Sequence, residues 1–201
     1  MNHLYQTRLY LALLHYPVKN KKGSAIASAV TSIDLHDIAR AARTYGVAGF
    51  YVITPLEDQR DFAGKIIDHW IKGHGAEYNP DRKEALSLIR IRKSLEQAVE
   101  EIRAKENRQV RIVATSASPA ASQTGFREFQ KALQCGEHAY LLALGTAWGL
   151  SDEFMQKADC RLAPIVGNNE YNHLSVRCAA SIILDRLFGS RVDGMAEKQQ
   201  P

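Results

Sequence analysis

The sequence predicts an α/β fold, a mostly parallel six-stranded sheet with helices on both faces. Short apolar runs alternate with amphipathic stretches along the 201 residues, and the connections between them are short. Hydrophobic residues make up 45% and charged residues 24% of the chain, which is typical of a globular protein. Such alternation is the pattern of parallel sheets covered by helices. We expect one domain over residues 1–190 and a frayed tail over 191–201.

Six segments are predicted to form strands because each is a short, largely apolar run bounded by turn residues. They are, in chain order, 8–14, 47–53, 85–92, 110–114, 139–144 and 161–166. The segment 85–92 differs from the others because its apolar residues alternate with polar ones. The first run is too short for a membrane span, and His15 and Pro17 close it.

Five segments between the strands carry apolar residues at helical spacing. They are, in chain order, 34–45, 57–71, 94–105, 125–134 and 172–188. Asp34, Ser94 and Asn172 stand where N-cap residues are expected. The polar segments 17–24 and 73–81 are predicted loops.

Composition narrows the classes of partner. The formal net charge of +4 permits a polyanionic partner without requiring one. Cys135, Cys160 and Cys178 form no Cys-x-x-Cys pair, so a reduced, cytoplasmic compartment is the simplest expectation. Neither the cysteines nor the seven histidines have metal-ligand spacing, and no apolar run is long enough to cross a bilayer. We therefore expect neither a metal site nor a membrane partner.

Three loops follow predicted strands at the sheet edge where parallel sheets bind ligands. The first, after 110–114, is rich in small hydroxyl residues, the second has Gly145 and Gly149 around Trp148, and the third is rich in Gly and Asn. Glycines and helix starts offer free backbone groups to a ligand. Each loop also has a plainer interpretation: a solvent loop, a tight turn with the Trp in the core, or an ordinary helix cap.

Three segments, taken in order, resemble the three motifs of the SPOUT class of RNA methyltransferases. Pro-Ile-Val-Gly at 164–167, followed by His-Leu-Ser-Val at 173–176 and an alanine-rich helix, is similar to the third motif. The stretch 142–150 resembles the second motif, a strand that ends in a glycine turn. Asp-x-His-x-x-x-Arg at 34–40, followed by Gly-Val at 46–47, resembles the first. The ordered motifs are much more specific than any one of them.

The resemblance implies an α/β knot, in which the C-terminal helix is threaded through a loop. It also implies S-adenosylmethionine as cofactor, RNA as substrate and a homodimer whose partner subunit completes the substrate site. The segment 171–177 further resembles a bacterial subgroup with no assigned RNA. The implied cofactor-binding residues are Thr115, Ser116, Ala117, Leu144, Gly145, Thr146, Gly149, Ile165, Val166, Gly167, Asn172, Leu174 and Ser175. The implied catalytic residues are Arg40, Asp34, His173 and Ser175.

Two motifs depart from the family pattern. Asp34 and His36 replace the Asn and Gly of the first motif, and His173-Leu174-Ser175 replaces Ser-Leu-Asn of the third. The acceptor is therefore left open between a base nitrogen and a ribose 2′-hydroxyl, in tRNA or rRNA. The alternatives are a non-catalytic knotted RNA-binding or assembly protein that retains the cofactor pocket, and an ordinary nucleotide-binding Rossmann enzyme. A Rossmann enzyme would need a Gly-x-Gly-x-x-Gly turn after its first strand, and this sequence has none there.

Two basic groups are candidates for RNA binding. His36, Arg40 and Arg43 lie at i, i+4 and i+7 and share one face of the first helix, opposite its apolar stripe. Lys19, Lys21 and Lys22 lie in the loop after the first strand. The alternative for both groups is an ordinary solvated surface.

Overall fold

The computed structural model describes residues 7–189. Its strands are β1 (Leu9–Leu14), β2 (Val18–Lys19), β3 (Ala25–Ile26), β4 (Gly49–Ile53), β5 (Ile89–Arg92), β6 (Val110–Ala114), β7 (Ala139–Gly145) and β8 (Cys160–Arg161). Its helices are α1 (Ser32–Thr44), α2 (Glu57–Ile71), α3 (His74–Tyr78), α4 (Pro80–Leu86), α5 (Leu95–Glu106), α6 (Phe126–Cys135), α7 (Asp152–Lys157) and α8 (Val176–Phe188). No helix within the described residues is long and apolar enough to span a membrane.

Six strands form one sheet in the order β5-β4-β1-β7-β6-β8, and every pair is parallel. The predicted six-stranded parallel sheet is therefore confirmed. The chain winds from β1 outward to β4 and β5, and then crosses to the other side of β1. The switch point thus lies between β1 and β7, and the carboxyl ends of these strands are where such sheets bind ligands.

Strand β1 lies at the centre of the sheet and is fully buried on both faces. Leu11 pairs with Phe50 of β4 and Leu142 of β7, and it packs in a core that includes residues of α1 and α8. Tyr10 faces the opposite side, where Ile102 of α5 belongs to the same core. Burial on both faces explains why these strands are continuous apolar runs rather than alternating ones.

Two predicted helix caps are wrong. Helix α1 is capped by Thr31, whose backbone is extended and whose Oγ1 accepts a hydrogen bond from the Asp34 N–H at 3.3 Å. Asp34 therefore lies in the first helical turn. Helix α8 is capped by Ser175 rather than Asn172, because Ser175 Oγ accepts from the Cys178 N–H at 3.3 Å. In both helices a hydroxyl three residues before the N–H makes the cap.

Short elements account for the other differences from the sequence prediction. The predicted loop 73–81 contains α3 and the start of α4, which Asn79 caps by accepting from the Arg82 N–H at 2.9 Å. Helix α4 continues to Leu86, so the predicted strand 85–92 begins only at Ile89. The predicted strand 161–166 is the two-residue β8. The hairpin β2–β3 and helix α7 were not predicted.

Candidate functional site

A cleft of 1030 Å³ opens at the switch point, beyond the carboxyl ends of β1, β6 and β7. The structure brings together there eleven of the predicted cofactor residues: Thr115, Ser116, Ala117, Leu144, Gly145, Thr146, Gly149, Ile165, Asn172, Leu174 and Ser175. Val166 and Gly167 do not line the cleft, and Val166 is 72% exposed. The predicted catalytic residues Asp34 and His173 line it as well.

The wall that follows β7 is a tight turn. Gly149 has φ +93 and its N–H donates to the Thr146 carbonyl at 2.9 Å, and Ala147 also has a positive φ of 52. The turn folds back so closely that a Cβ on Gly145 would lie 2.5 Å from the backbone nitrogen of Leu150. Only glycine fits at residue 145, because the backbone of the turn itself occupies the space that a side chain would need.

Three hydrogen-bonded side chains, those of His15, Ser28 and Thr146, support this wall. His15 is fully buried, and its Nδ1 lies 3.0 Å from Ser28 Oγ, which in turn lies 2.5 Å from Thr146 Oγ1. The Thr146 hydroxyl donates to the Leu14 carbonyl at 2.9 Å, so its proton is used there. Ser28 then donates to Thr146, and His15 Nδ1–H donates to Ser28. Burial lowers the pKa of His15 to about 4, which keeps the ring neutral at neutral pH.

Sequence reasoning missed this chain of side chains. His15 was assigned only as the residue that closes the first strand, and Ser28 lies in no recognised motif. A histidine directly after a buried strand is the one signal that could have found it.

The opposite wall is formed by the loop before α8. The Asn172 side-chain amide donates to the Ala117 carbonyl at 2.9 Å, so this loop is tied to the loop after β6. Leu174 is 44% exposed although it lines the cleft. The wall therefore combines backbone contacts with an apolar surface that a ligand can cover.

The third wall is the start of α1. Asp34 is 8% exposed, and its Oδ2 accepts from the Thr31 hydroxyl at 2.6 Å. Its Oδ1 lies 3.4 Å from Nη1 of Arg177, whose Nε lies 3.4 Å from Oδ2 of Asp37. Arg177 also lines the cleft. It was not predicted as a site residue, although it ends the motif-like segment 171–177.

The predicted basic face of α1 is not one free surface. His36 packs edge-on against Trp70 with ring centroids 5.4 Å apart, and burial, followed by the charge of Arg82, lowers its pKa. Arg43 forms an ion pair with Glu84 of α4. His36 is thus half-buried beside α2, whereas Arg43 is exposed but paired, and RNA binding by either residue stays a prediction.

Arg40 is exposed and lies outside the cleft. It lines a shallow depression of 530 Å³ between α1 and α8, together with Asp37, Ala41, Cys178 and Ser181. Arg177 borders both this depression and the cleft. The two features are therefore adjacent, with one guanidinium between them.

The three predicted RNA-binding lysines lie on the β2–β3 hairpin. Lys19 lines the cleft, and its Nζ is 2.9 Å from Asp152 Oδ1. Lys21 and Lys22 are exposed at the hairpin turn. The Asn20 side chain holds this turn by accepting from the N–H groups of Lys22 and Ser24 at 2.8 and 3.0 Å. Within residues 7–189 no group of three or more His, Cys, Asp or Glu could hold a metal ion.

Comparison with known proteins gives consistent matches. A family model described as SAM-dependent RNA methyltransferase matches residues 8–189. A tRNA (guanine-N(1)-)-methyltransferase from Oleidesulfovibrio alaskensis is 42% identical over 181 residues, which are 90% of this chain and 42% of that protein. An uncharacterised protein from Aquifex aeolicus is 36% identical over 180 residues, which are 90% of this chain and 88% of that protein. The chain thus spans less than half the length of the tRNA methyltransferase.

The fold also matches solved structures. A TrmH/SpoU tRNA-modifying enzyme from Aquifex aeolicus superposes with a TM-score of 0.53 at 19% identity, and the match covers 90% of this chain and 74% of that one. At this identity the likeness concerns the fold alone, an α/β fold of the SpoU methyltransferase kind.

Proposed function

Because the chain belongs to the family of SAM-dependent RNA methyltransferases, we propose that it methylates a nucleotide of tRNA in the cytoplasm. Family membership confirms the resemblance to the SPOUT class and makes S-adenosylmethionine the cofactor. The choice of tRNA is supported by the name of the Oleidesulfovibrio relative, of which this chain spans 42%. The observation that carries the proposal is the cleft at the switch point, where residues of all three motifs meet.

The cleft suits this cofactor in its chemistry. The tight turn at Gly145 and Gly149 borders the cleft, and Leu144 and Ile165 line it with apolar groups for a flat ring. Asn172 and Thr115 supply polar contacts. When bound, the sulfonium supplies an activated methyl group that needs no metal. We propose that these residues, with the other cleft-lining residues named above, hold it.

Asp34 is our candidate for handling the acceptor's proton. Its carboxylate is nearly buried, lines the cleft, and is oriented from both sides by Thr31 and Arg177. A 2′-hydroxyl, or a base nitrogen that carries a hydrogen, loses a proton when it is methylated, and a positioned carboxylate accepts that proton. His173 lines the same cleft and Ser175 caps α8 at its edge, so we assign both to positioning the acceptor.

We propose a homodimer formed through the face that contains α1 and α8. Arg40, the arginine of the first motif, lies in the depression on this face rather than in its own cleft. In a dimer packed through this face, Arg40 of each subunit would lie near the cleft of the other. Because such a two-fold interface is symmetric, both clefts would receive an arginine.

We also propose the C-terminal knot. The chain leaves β8 at the sheet edge, ties its loop to the loop after β6 through Asn172 and Ala117, and returns so that α8 packs on α1 and α6. This path supports threading of α8 past the β6 loop. An experimental structure that traces residues 115–125 and 160–176 without a break would test it.

Two measurements test the proposed function. Calorimetry of the purified protein with S-adenosylmethionine should show binding, and no binding up to millimolar ligand would overturn the proposal. Methyl transfer to tRNA isolated from a strain lacking the protein, followed by mass spectrometry of its nucleosides, should then identify the methylated nucleotide and atom.

The second candidate function is a non-catalytic knotted RNA-binding or assembly protein that retains the cofactor pocket. The departures from the first motif at Asp34 and His36, and from the third at His173 and Ser175, favour it. Binding of both cofactor and RNA without any methyl transfer would support this alternative.

A further inference from the structure

We propose that the indole of Trp148 is the platform on which the acceptor nucleobase stacks, an inference that rests on the RNA methyltransferase function proposed above. Trp148 lines the cleft and yet is 62% exposed. A large aromatic ring left in water at the edge of a cleft contributes little to a folding core. It is, however, the surface that an unpaired base needs for stacking.

The exposure of Trp148 follows from a backbone that is held in place. The Trp148 N–H donates to the Lys19 carbonyl at 3.1 Å, and the Lys19 N–H donates to the Gly149 carbonyl at 2.8 Å. An isolated bridge joins Val18 to Leu150. The turn after β7 is therefore paired with β2, and the indole is presented to solvent by a fixed backbone.

The hairpin that pairs with the Trp148 backbone also carries positive charge. Lys21 and Lys22 are exposed at its turn, which Asn20 holds through two side-chain hydrogen bonds. An aromatic face next to lysines is the combination that binds unpaired nucleotides, because the base stacks while the phosphates meet the ammonium groups.

This combination fits the acceptor nucleotide better than the adenine of the cofactor. Leu144 and Thr146, at the floor of the cleft, are 1% and 9% exposed, whereas Trp148 stands at its open edge. S-adenosylmethionine has no phosphate that could use Lys21 or Lys22. An RNA strand brings a base and phosphates together, so it engages the ring and the hairpin at the same time.

Kinetics with three variants test the platform, using tRNA isolated from a strain lacking the protein. Trp148→Ala should lower kcat/KM for tRNA by about 10- to 100-fold, whereas Trp148→Phe, which keeps an aromatic face, should lose about threefold or less. Tyr78→Ala is the matched control, because Tyr78 is 79% exposed on α3, away from the cleft. Affinity for S-adenosylmethionine should stay within about twofold in all three, since the platform serves the other substrate.

Three outcomes would overturn the platform. Equal loss in Trp148→Ala and Trp148→Phe would show that stacking is not involved. Wild-type kcat/KM in Trp148→Ala would show that the ring is not used. Weaker S-adenosylmethionine binding with unchanged use of tRNA would assign the ring to the cofactor's adenine.

Fluorescence separates this inference from the proposed function. The chain has two tryptophans, so Trp70→Phe leaves Trp148 as the reporter. An oligoadenylate of about ten nucleotides should quench its emission, and polyphosphate of matched charge should not. Quenching without any methyl transfer would sink the proposed function and leave the platform standing. Methyl transfer to tRNA without quenching would overturn the platform and leave the proposed function standing. Equal quenching by polyphosphate would also overturn the platform.

Discussion

Asp34 and Arg177 connect the first and the last helix at the edge of the cleft, with Asp34 Oδ1 3.4 Å from Arg177 Nη1. The same guanidinium contacts Asp37, whose side chain is 42% exposed, whereas that of Asp34 is 11% exposed. Arg177 therefore pairs with one nearly buried carboxylate, that of Asp34, and one exposed carboxylate, that of Asp37. Of these two, Asp34 lines the cleft.

This asymmetry gives the first prediction. Asp34→Asn should lower kcat for methyl transfer at least about 100-fold, because an amide cannot accept the acceptor's proton. S-adenosylmethionine affinity, measured by calorimetry, should change little. Asp37→Asn is the matched control, since it also removes a partner of Arg177, and it should cost about threefold or less. Equal losses in the two variants would assign Asp34 to the ion pair alone.

Burial of His15 predicts a pH dependence of stability. Its pKa is 6.5 in an exposed chain and about 4 in the fold, so the unfolded state binds the proton more readily. The stabilisation is complete above pH 6.5 and is lost as the pH falls from 6.5 through 4, by about 3 kcal/mol in total. The free energy of unfolding, measured with denaturant, should therefore fall more steeply with decreasing pH over that range in the wild type than in His15→Asn. Parallel curves for the two proteins would contradict a neutral buried ring.

The close approach at Gly145 gives the third prediction. Gly145→Ala would place a Cβ 2.5 Å from the Leu150 backbone nitrogen, so the turn must shift. S-adenosylmethionine affinity should fall by about tenfold or more, which corresponds to about 1.4 kcal/mol. Gly64→Ala, in helix α2 with open space around it, is the matched control and should bind as wild type does. Wild-type affinity in Gly145→Ala would show that this turn is not part of the cofactor site.

The elements that could be predicted from sequence are those with a local cause. Buried strands such as β1 and β7 are continuous apolar runs, and Gly145 and Gly149 mark a turn by composition. Because the carboxyl ends of parallel strands share one sheet edge, the loops after β6 and β7 could be assigned to one site before any coordinates.

The rest depends on contacts between distant parts of the chain. The pairs Asp34–Arg177 and Ser28–Thr146 are 143 and 118 residues apart, and no periodicity encodes them. The ion pair between Arg43 and Glu84 could not be predicted because α4 begins inside a polar segment predicted to be a loop. Short polar helices bury too little apolar surface to leave a pattern.

The hairpin lysines predict a salt dependence of RNA binding. The double variant Lys21→Ala/Lys22→Ala should weaken binding to tRNA and reduce the slope of log affinity against log salt by about 2, one for each lost phosphate contact. Lys65→Ala/Lys72→Ala removes the same charge from α2 and its C-cap, away from the hairpin, and is the control. Filter binding over a series of salt concentrations measures both. An unchanged slope in the hairpin variant would show that Lys21 and Lys22 do not contact RNA phosphates.

The location of Arg40 predicts that activity is shared between subunits. Arg40→Ala should abolish transfer while S-adenosylmethionine affinity stays within a few-fold, because the side chain lies in the α1–α8 depression and not in its own cleft. Surviving activity would show that the first-motif assignment is wrong. Thermal unfolding should remain near that of wild type, since Arg40 is exposed.

Mixing experiments can distinguish a shared site from a local one. Arg40→Ala and Asp34→Asn subunits, each expected to have little or no activity in a homodimer, should form mixed dimers in which an intact cleft meets an intact Arg40 from the other copy. Half of the dimers in an equal mixture are mixed and each has one working site, so about a quarter of wild-type activity should return. If the arginine acted within its own subunit, no site in the mixture would combine both intact features, and activity would stay absent after unfolding and refolding the subunits together.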